Sequence, residues 1–127
     1  MDKQLLDKGR AVRRKLLGEK YADLKAQAVD DFSRPFHDMV AEYCYGQCWT
    51  DETLNHRERS ILNLGMLGAL GKQIQFETHV RVALRNGLSH DELRAVLMQI
   101  AVYCGIPAAM DCFRIASKVL SEPPPET

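Results

Sequence analysis

The chain has 127 residues, and its 17 Lys and Arg residues balance its 17 Asp and Glu residues, so the formal net charge is zero at pH 7. A composition of 46% hydrophobic and 27% charged residues is typical of one globular domain and excludes a disordered chain. The balanced charge argues against a nucleic-acid partner, and no apolar run is long enough for a membrane span, so we expect small-molecule chemistry or self-association.

The N-terminal part of the chain predicts three helices. Apolar residues recur at helical spacing among charges over residues 2–17, and Gly18 ends this first helix. A second, short helix fits residues 21–29. Pro35 suits the first turn of a third helix, with Ser33 as its cap.

A central helix is predicted from a capping box and an apolar run. Asn55 followed by Glu58 is typical of a helix start. Residues 61–70 are then apolar almost all round, so we expect this helix to be covered on most sides. Gly65 and Gly68 lower its helix propensity, and we expect them to allow close approach of a neighbouring helix.

Three further helices are predicted towards the C-terminus. The first spans about residues 72–86 and ends at Gly87. The second begins at a capping box formed by Ser89 and Glu92, and the third begins near Pro107.

The helical pattern of the whole chain predicts an all-α fold, a compact bundle of six to seven helices. No segment alternates as a β-strand, and no internal repeat is present. We expect one domain over residues 1–120 and a disordered tail over residues 121–127, which contain three consecutive prolines.

The four cysteines do not match a known site spacing. Cys44 and Cys48 are four residues apart, which is neither the Cys-x-x-Cys redox spacing nor a zinc set. The chain is charged from Asp2 onward and shows no signal-peptide core, so we expect a cytoplasmic protein without disulfides. We interpret Cys44, Cys48, Cys104 and Cys112 as buried thiols, with redox and metal roles as alternatives.

His79 is the histidine best suited to catalysis. It lies in mid-helix beside a face that is expected to pack, where partial burial could bring its pKa to a value useful for a proton donor or base near neutral pH. A structural histidine bound to a carbonyl is the alternative. The four histidines fall on separate elements, so we expect no metal site.

Other candidates are an acid and two arginines. Glu42 is a candidate catalytic acid because it lies close in sequence to Tyr45 and Trp49, which could shield it in part from water. A solvated or salt-bridged glutamate is the alternative. Arg59 and Arg81 are able to hold carboxylates with two hydrogen bonds, although arginines of this kind are more often surface ion-pair partners.

Most of the chain resembles the carboxymuconolactone decarboxylase family, within the alkylhydroperoxidase-like superfamily. The resemblance covers about residues 10–120. It rests on RRKLLGEKYAD (13–23), EYCYGQCW (42–49), RERSILNLGMLGALGK (57–72), and the motifs His-Val-Arg-x-Ala-Leu, Asn-Gly-Leu and Tyr-Cys-Gly-x-Pro-Ala-Ala within residues 77–120. It implies an alkylhydroperoxidase-like helical fold, no cofactor and no metal. It also implies a homo-oligomer, a hexamer or a trimer, with active sites at subunit contacts.

The chain departs from the peroxidases of that superfamily, which carry a Cys-x-x-Cys before the histidine. Lys72 and Gln75 stand at those two positions, and Ser60 stands at the position of the acidic residue that helps to activate the thiols. The chain thus has no thiolate at the expected place, and Cys44 and Cys48, on an earlier helix, do not restore the motif. A thiol-dependent reductase that uses these two cysteines stays an alternative, as does a non-catalytic oligomeric member of the family.

The resemblance implies that 4-carboxymuconolactone is converted to the β-ketoadipate enol-lactone and CO2 in aromatic catabolism. Under this hypothesis His79 and Glu42 are catalytic, with His79 delivering a proton or stabilising an oxyanion. Arg81 or Arg59 would hold a substrate carboxylate. Three aromatic residues would form the wall of the site: Tyr45, Trp49 and Tyr103.

Overall fold

The structure is a computed structural model, and it describes residues 2–123. Residues 124–127 of the predicted tail lie outside the described residues. Over residues 2–123 the chain forms seven α-helices, a π-helical segment and no strand, which confirms the all-α prediction. No helix in this part of the chain is long and apolar enough to cross a membrane. The elements are α1 (Lys3–Leu17), α2 (Glu19–Gln27), α3 (Arg34–Val40), the π segment (Ala41–Trp49), α4 (His56–Leu70), α5 (Gln73–Arg85), α6 (His90–Cys104) and α7 (Ile106–Leu120).

Local capping explains several of these boundaries. Ser89 and Glu92 form the predicted capping box at the start of α6, and Gly87 adopts a φ of 95° after α5. Ser33 occupies the predicted cap position of α3, but its side chain makes no capping hydrogen bond, so the predicted capping role is wrong. Its hydroxyl lies instead 2.7 Å from a carboxylate oxygen of Asp30.

The described chain packs as two compact units, residues 2–55 and residues 56–123. The first contains α1 to α3 and the π segment, and the second contains α4 to α7. One domain over residues 1–120 stays a prediction.

In the first unit, α1 crosses the π segment at two glycines. A Cβ on Gly9 would lie 1.8 Å from the carbonyl oxygen of Ala41, and a Cβ on Gly46 would lie 2.4 Å from that of Leu5. The two backbones approach too closely for any side chain at either position, and this contact therefore requires glycine.

In the second unit, one core joins all four helices. Its fully buried members include Leu64 of α4, Phe76 and Val80 of α5, and Leu97 of α6. Cys112 of α7 belongs to the same core. These side chains recur at helical spacing on the inner face of each helix, as the sequence pattern predicts.

Helix α4 is covered on one side and exposed on the other, so the expectation that it would be covered on most sides is wrong for the single chain. Leu62, Met66 and Leu70 are 51%, 47% and 68% exposed. Gly68 allows the predicted close packing, since a Cβ there would lie 3.0 Å from the sulfur of Cys112. Nothing lies within 4 Å of a Cβ built on Gly65, so the same prediction is wrong for that residue.

Candidate active site

His79 lies half-buried on α5, next to the inner face that Phe76 and Val80 form. Its Nδ1 lies 3.5 Å from the side-chain amide nitrogen of Asn63 on α4. Burial lowers the pKa of His79 to about 4. The ring is therefore neutral near pH 7, where it accepts a proton or donates through its one N–H group but does not act as an imidazolium acid.

Asn63 is a site residue that the sequence argument missed. It is the one polar side chain in the apolar run over residues 61–70, and this irregularity was the available signal. A second amide links the same two helices: Asn86 Nδ2 donates to Ser60 Oγ at 2.9 Å and to the carbonyl oxygen of His56 at 3.3 Å. Ser60 is fully buried.

Arg81 binds carboxylates of the protein itself. Its Nε and Nη2 donate to the two carboxylate oxygens of Glu122 at 3.2 and 2.6 Å, and its Nη1 donates to Glu77 at 3.1 Å. Lys118 donates to the other oxygen of Glu77 at 2.9 Å. Hydrogen bonds from Lys118 and Arg81 lower the pKa of Glu77, and those from Arg81 lower the pKa of Glu122. A substrate carboxylate would have to displace Glu122 in order to reach Arg81 with two hydrogen bonds.

Arg59 is placed near Asn63 by its spacing along α4. It precedes Asn63 by four residues, and residues at this spacing share a helix face. The side chain is half-buried, and its Nε atom is fully shielded from solvent. Of the two predicted arginines, Arg59 thus lies one turn from the residue that contacts His79.

Three of the predicted site residues belong to the first unit, on the π segment. The rings of Tyr45 and Trp49 stack with centroids 6.4 Å apart. The guanidinium of Arg13 lies 5.8 Å from the centroid of Tyr45, and burial raises the pKa of Tyr45. Glu42 is half-buried, and its Oε1 accepts from the backbone N–H of Asp2 at 3.5 Å.

Tyr103 is 82% exposed on α6. A cavity of about 160 Å³ lies in the second unit between the end of α4, the start of α5 and α7. Phe76, Gln73, Asp111 and Cys112 contribute to its walls, and none of the predicted site residues lines it. The cavity therefore lies apart from His79 on α5.

The cysteine prediction is wrong for three residues. Cys44, Cys48 and Cys104 are exposed, and Cys112 is the one buried cysteine of the four. Burial, with a smaller contribution from Cys48, raises the pKa of Cys44. Within residues 2–123, no group of three or more His, Cys, Asp or Glu residues is arranged to hold a metal ion.

Comparison with known proteins identifies the class of this helical chain. The sequence model of the carboxymuconolactone decarboxylase family matches residues 34–118, more than half of the chain, and the protein belongs to this family. It is 28% identical over 121 residues to 4-carboxymuconolactone decarboxylase of Acinetobacter baylyi, covering 95% of this chain and 90% of that protein. It is also 28% identical over 122 residues to nitrosuccinic acid decarboxylase of Metarhizium robertsii, covering 96% of this chain and 85% of that protein. Both relatives are named as decarboxylases, which supports a carboxy-lyase activity in general terms.

Proposed function

We propose that this protein removes CO2 from a carboxylated unsaturated lactone, converting 4-carboxymuconolactone to the β-ketoadipate enol-lactone. The observation that carries the proposal is a neutral, half-buried His79 beside a polar partner, in a chain that is similar to two proteins named as decarboxylases. The product would then enter aromatic catabolism, as the family resemblance implies.

The chemistry of this substrate requires no external electron acceptor. Its carboxylate stands on a saturated ring carbon next to a double bond, and this double bond is conjugated to the lactone carbonyl. When the bond to CO2 breaks, the electron pair passes through the double bond onto the carbonyl oxygen and forms a dienolate. A proton then adds to a ring carbon. The protein must hold the substrate carboxylates, exclude water and stabilise the dienolate oxygen.

We assign the stabilisation of the dienolate oxygen to His79. A neutral imidazole has one N–H group, which can donate a hydrogen bond to a developing oxyanion. Delivery of that proton to carbon would leave an imidazolate, and the low pKa of His79 therefore favours the hydrogen-bonding role over proton delivery. The proton on the ring carbon would come from another donor or from water.

Arg59 is the first of the two proposed carboxylate ligands, since it lies one helical turn from Asn63, the residue that contacts His79. Arg81 is the second, and a substrate would have to displace Glu122 from it. The proposal keeps Glu42 as a catalytic residue. It keeps the three aromatic residues as the wall of the site: Tyr45, Trp49 and Tyr103.

Nitrosuccinate is the second substrate to test, because one relative is named as its decarboxylase. When CO2 leaves the carbon that carries the nitro group, the electron pair of the broken C–C bond passes onto a nitro oxygen and forms a nitronate, and a proton then adds to that carbon. Both reactions would place negative charge on an oxygen atom that His79 could stabilise.

The proposal is tested by following absorbance of 4-carboxymuconolactone with the purified protein, and CO2 release from nitrosuccinate. The His79→Ala variant should lose at least about 100-fold in kcat, as expected for removal of an oxyanion ligand. His90→Ala, which changes an exposed histidine at the start of α6, should retain full activity. Absence of turnover with both substrates would contradict the proposed reaction, and full activity of His79→Ala would contradict the role of His79.

A further inference from the structure

Asn63 is a polar residue at a position of α4 where its neighbours along the chain are apolar. It interrupts the apolar run of residues 61–70 in the middle of α4, where asparagine lowers helix propensity and where a half-buried amide requires a hydrogen-bonding partner. An apolar side chain would satisfy the packing requirements of this helix better. The cost of a polar group here suggests that the amide performs a function.

The contact of this amide with His79 points to the ring nitrogen that carries the proton. An amide nitrogen donates and does not accept, so Nδ1 of His79, 3.5 Å from Asn63 Nδ2, is the acceptor. In a neutral ring the proton then resides on Nε2. Because the two ring nitrogens lie on different edges of imidazole, Nε2 points away from Asn63.

We propose that Asn63 is a positioning residue that holds His79 in the tautomer protonated on Nε2, so that Nε2–H is the hydrogen-bond donor in the proposed reaction. This inference rests on the proposed function for its catalytic meaning, while the tautomer itself is a property of the free protein. A hydrogen bond of ordinary net strength shifts a tautomer ratio roughly fivefold. Loss of Asn63 should therefore reduce the reactive fraction of His79 without removing the residue.

The second amide bridge between α4 and α5 provides a matched control. Asn86 donates to Ser60 Oγ at 2.9 Å across the same pair of helices. Its replacement should affect packing between the helices and leave the tautomer of His79 unchanged. A comparison of variants at Asn63 and Asn86 thus separates an effect on His79 from a general effect on this helix contact.

The decisive measurement is ¹⁵N NMR of the imidazole nitrogens in the wild-type protein at pH 7, which distinguishes protonated from unprotonated nitrogen. We expect the Nε2–H tautomer of His79 in the wild type and a mixture in Asn63→Leu. In Asn63→Asp, a carboxylate acceptor should draw the proton to Nδ1. Asn86→Ala should give the wild-type signal. A wild-type ring protonated on Nδ1, or an Asn63→Leu spectrum equal to that of the wild type, would overturn the inference.

Kinetics and stability give a second readout. Asn63→Leu should lower kcat by up to about twofold, because a fivefold change in the tautomer ratio leaves about half of the rings protonated on Nε2. KM should change little, while the thermal midpoint stays equal or rises because leucine suits the helix better. A residue with a merely structural role would show the opposite, a fall in stability at constant kcat, and that result would overturn the inference. If the wild type turns over neither substrate, the proposed function fails, whereas the NMR comparison still decides whether Asn63 sets the tautomer.

Discussion

The charge state of His79 depends on where the α4–α5 contact places its ring. The side chain is half-buried, and loss of hydration disfavours the charged form of imidazole more than the neutral form. A decarboxylase that stabilises an oxyanion benefits from a neutral donor whose protonation does not change across the physiological range. A drop in activity centred on the ordinary pKa of histidine, about 6.5, is therefore not expected from this residue.

The lowered pKa of His79 predicts a loss of stability in acid. The folded protein binds a proton at His79 only near pH 4, whereas the unfolded chain binds it near pH 6.5, so acid favours the unfolded chain as the pH falls between these values. The free energy of unfolding should decrease by roughly 2–3 kcal/mol from this group between pH 7 and pH 4.5. Urea denaturation of the wild type and of His79→Gln at both pH values measures the effect.

Comparison with His79→Gln separates the effect of the histidine on stability in acid from the effect of the carboxylates. Glu77 and Glu122 have lowered pKa values, so their contribution to stability is present at neutral pH and is also lost in acid, in both proteins alike. The wild type should thus lose more stability than His79→Gln over this interval. An equal loss in the two proteins would contradict the lowered pKa of His79.

The exposed residues Cys44 and Cys48 allow a direct test of the alternative function, a thiol-dependent reductase. A raised pKa of Cys44 reduces the thiolate fraction on which a peroxidase depends. The double variant Cys44→Ser with Cys48→Ser should therefore decarboxylate at the wild-type rate and show the same low activity with peroxide. Loss of a peroxide-reducing activity in this variant, observed together with a disulfide between the two residues in the oxidised wild type, would favour the reductase.

At the scale of the elements, the crossing of α1 and the π segment depends on glycine. Gly9→Ala should destabilise the protein by at least about 2 kcal/mol, because its Cβ would lie 1.8 Å from a backbone carbonyl oxygen that cannot rotate away. Gly65→Ala is the matched control, since nothing lies within 4 Å of the added methyl group and alanine favours a helix by up to about 1 kcal/mol. Urea denaturation compares the two, and equal stability of Gly9→Ala and the wild type would contradict this crossing.

Helix boundaries are predictable from the sequence because caps are local signals. The capping box at Ser89 and the glycine after α5 depend on residues that are adjacent along the chain. The π segment is not predictable in this way: over the nine residues of Ala41–Trp49, its apolar spacing differs little from that of an α-helix. The contact between Asn63 and His79 joins residues 16 positions apart and requires the packing of two helices, so the sequence shows the polar irregularity but not its partner.

The outer face of α4 shows a related limit of sequence patterns. Apolar residues on all sides of a helix indicate that the helix will be covered, but they do not indicate whether the same chain or a second subunit covers it. In this chain the core of the second unit covers Leu64 and Gly68, while Leu62, Met66 and Leu70 are exposed. The same pattern is compatible with a buried central helix and with a helix that a second subunit covers.

At the scale of the whole molecule, the exposed apolar side chains predict self-association. Leu62, Met66 and Leu70 follow one another at intervals of four residues and form a stripe on α4. A further group is exposed on α6 and α7: Met98, Val102, Tyr103, Ile106 and Met110. Apolar surface of this kind is stabilised by removal from water, and a formal net charge of zero does not oppose the approach of identical chains.

The α4 stripe can be tested by placing a charge within it. We expect a hexamer or a trimer in sedimentation-velocity experiments, and we expect Met66→Glu to shift the protein towards the monomer because a carboxylate in an apolar contact would have to be desolvated. Leu24→Glu is the control: Leu24 is 56% exposed, but it lies between Asp23 and Lys25 in a polar helix rather than in an apolar stripe. A monomeric wild type would contradict self-association. An oligomer that Met66→Glu leaves intact would show that subunits meet through a surface other than α4.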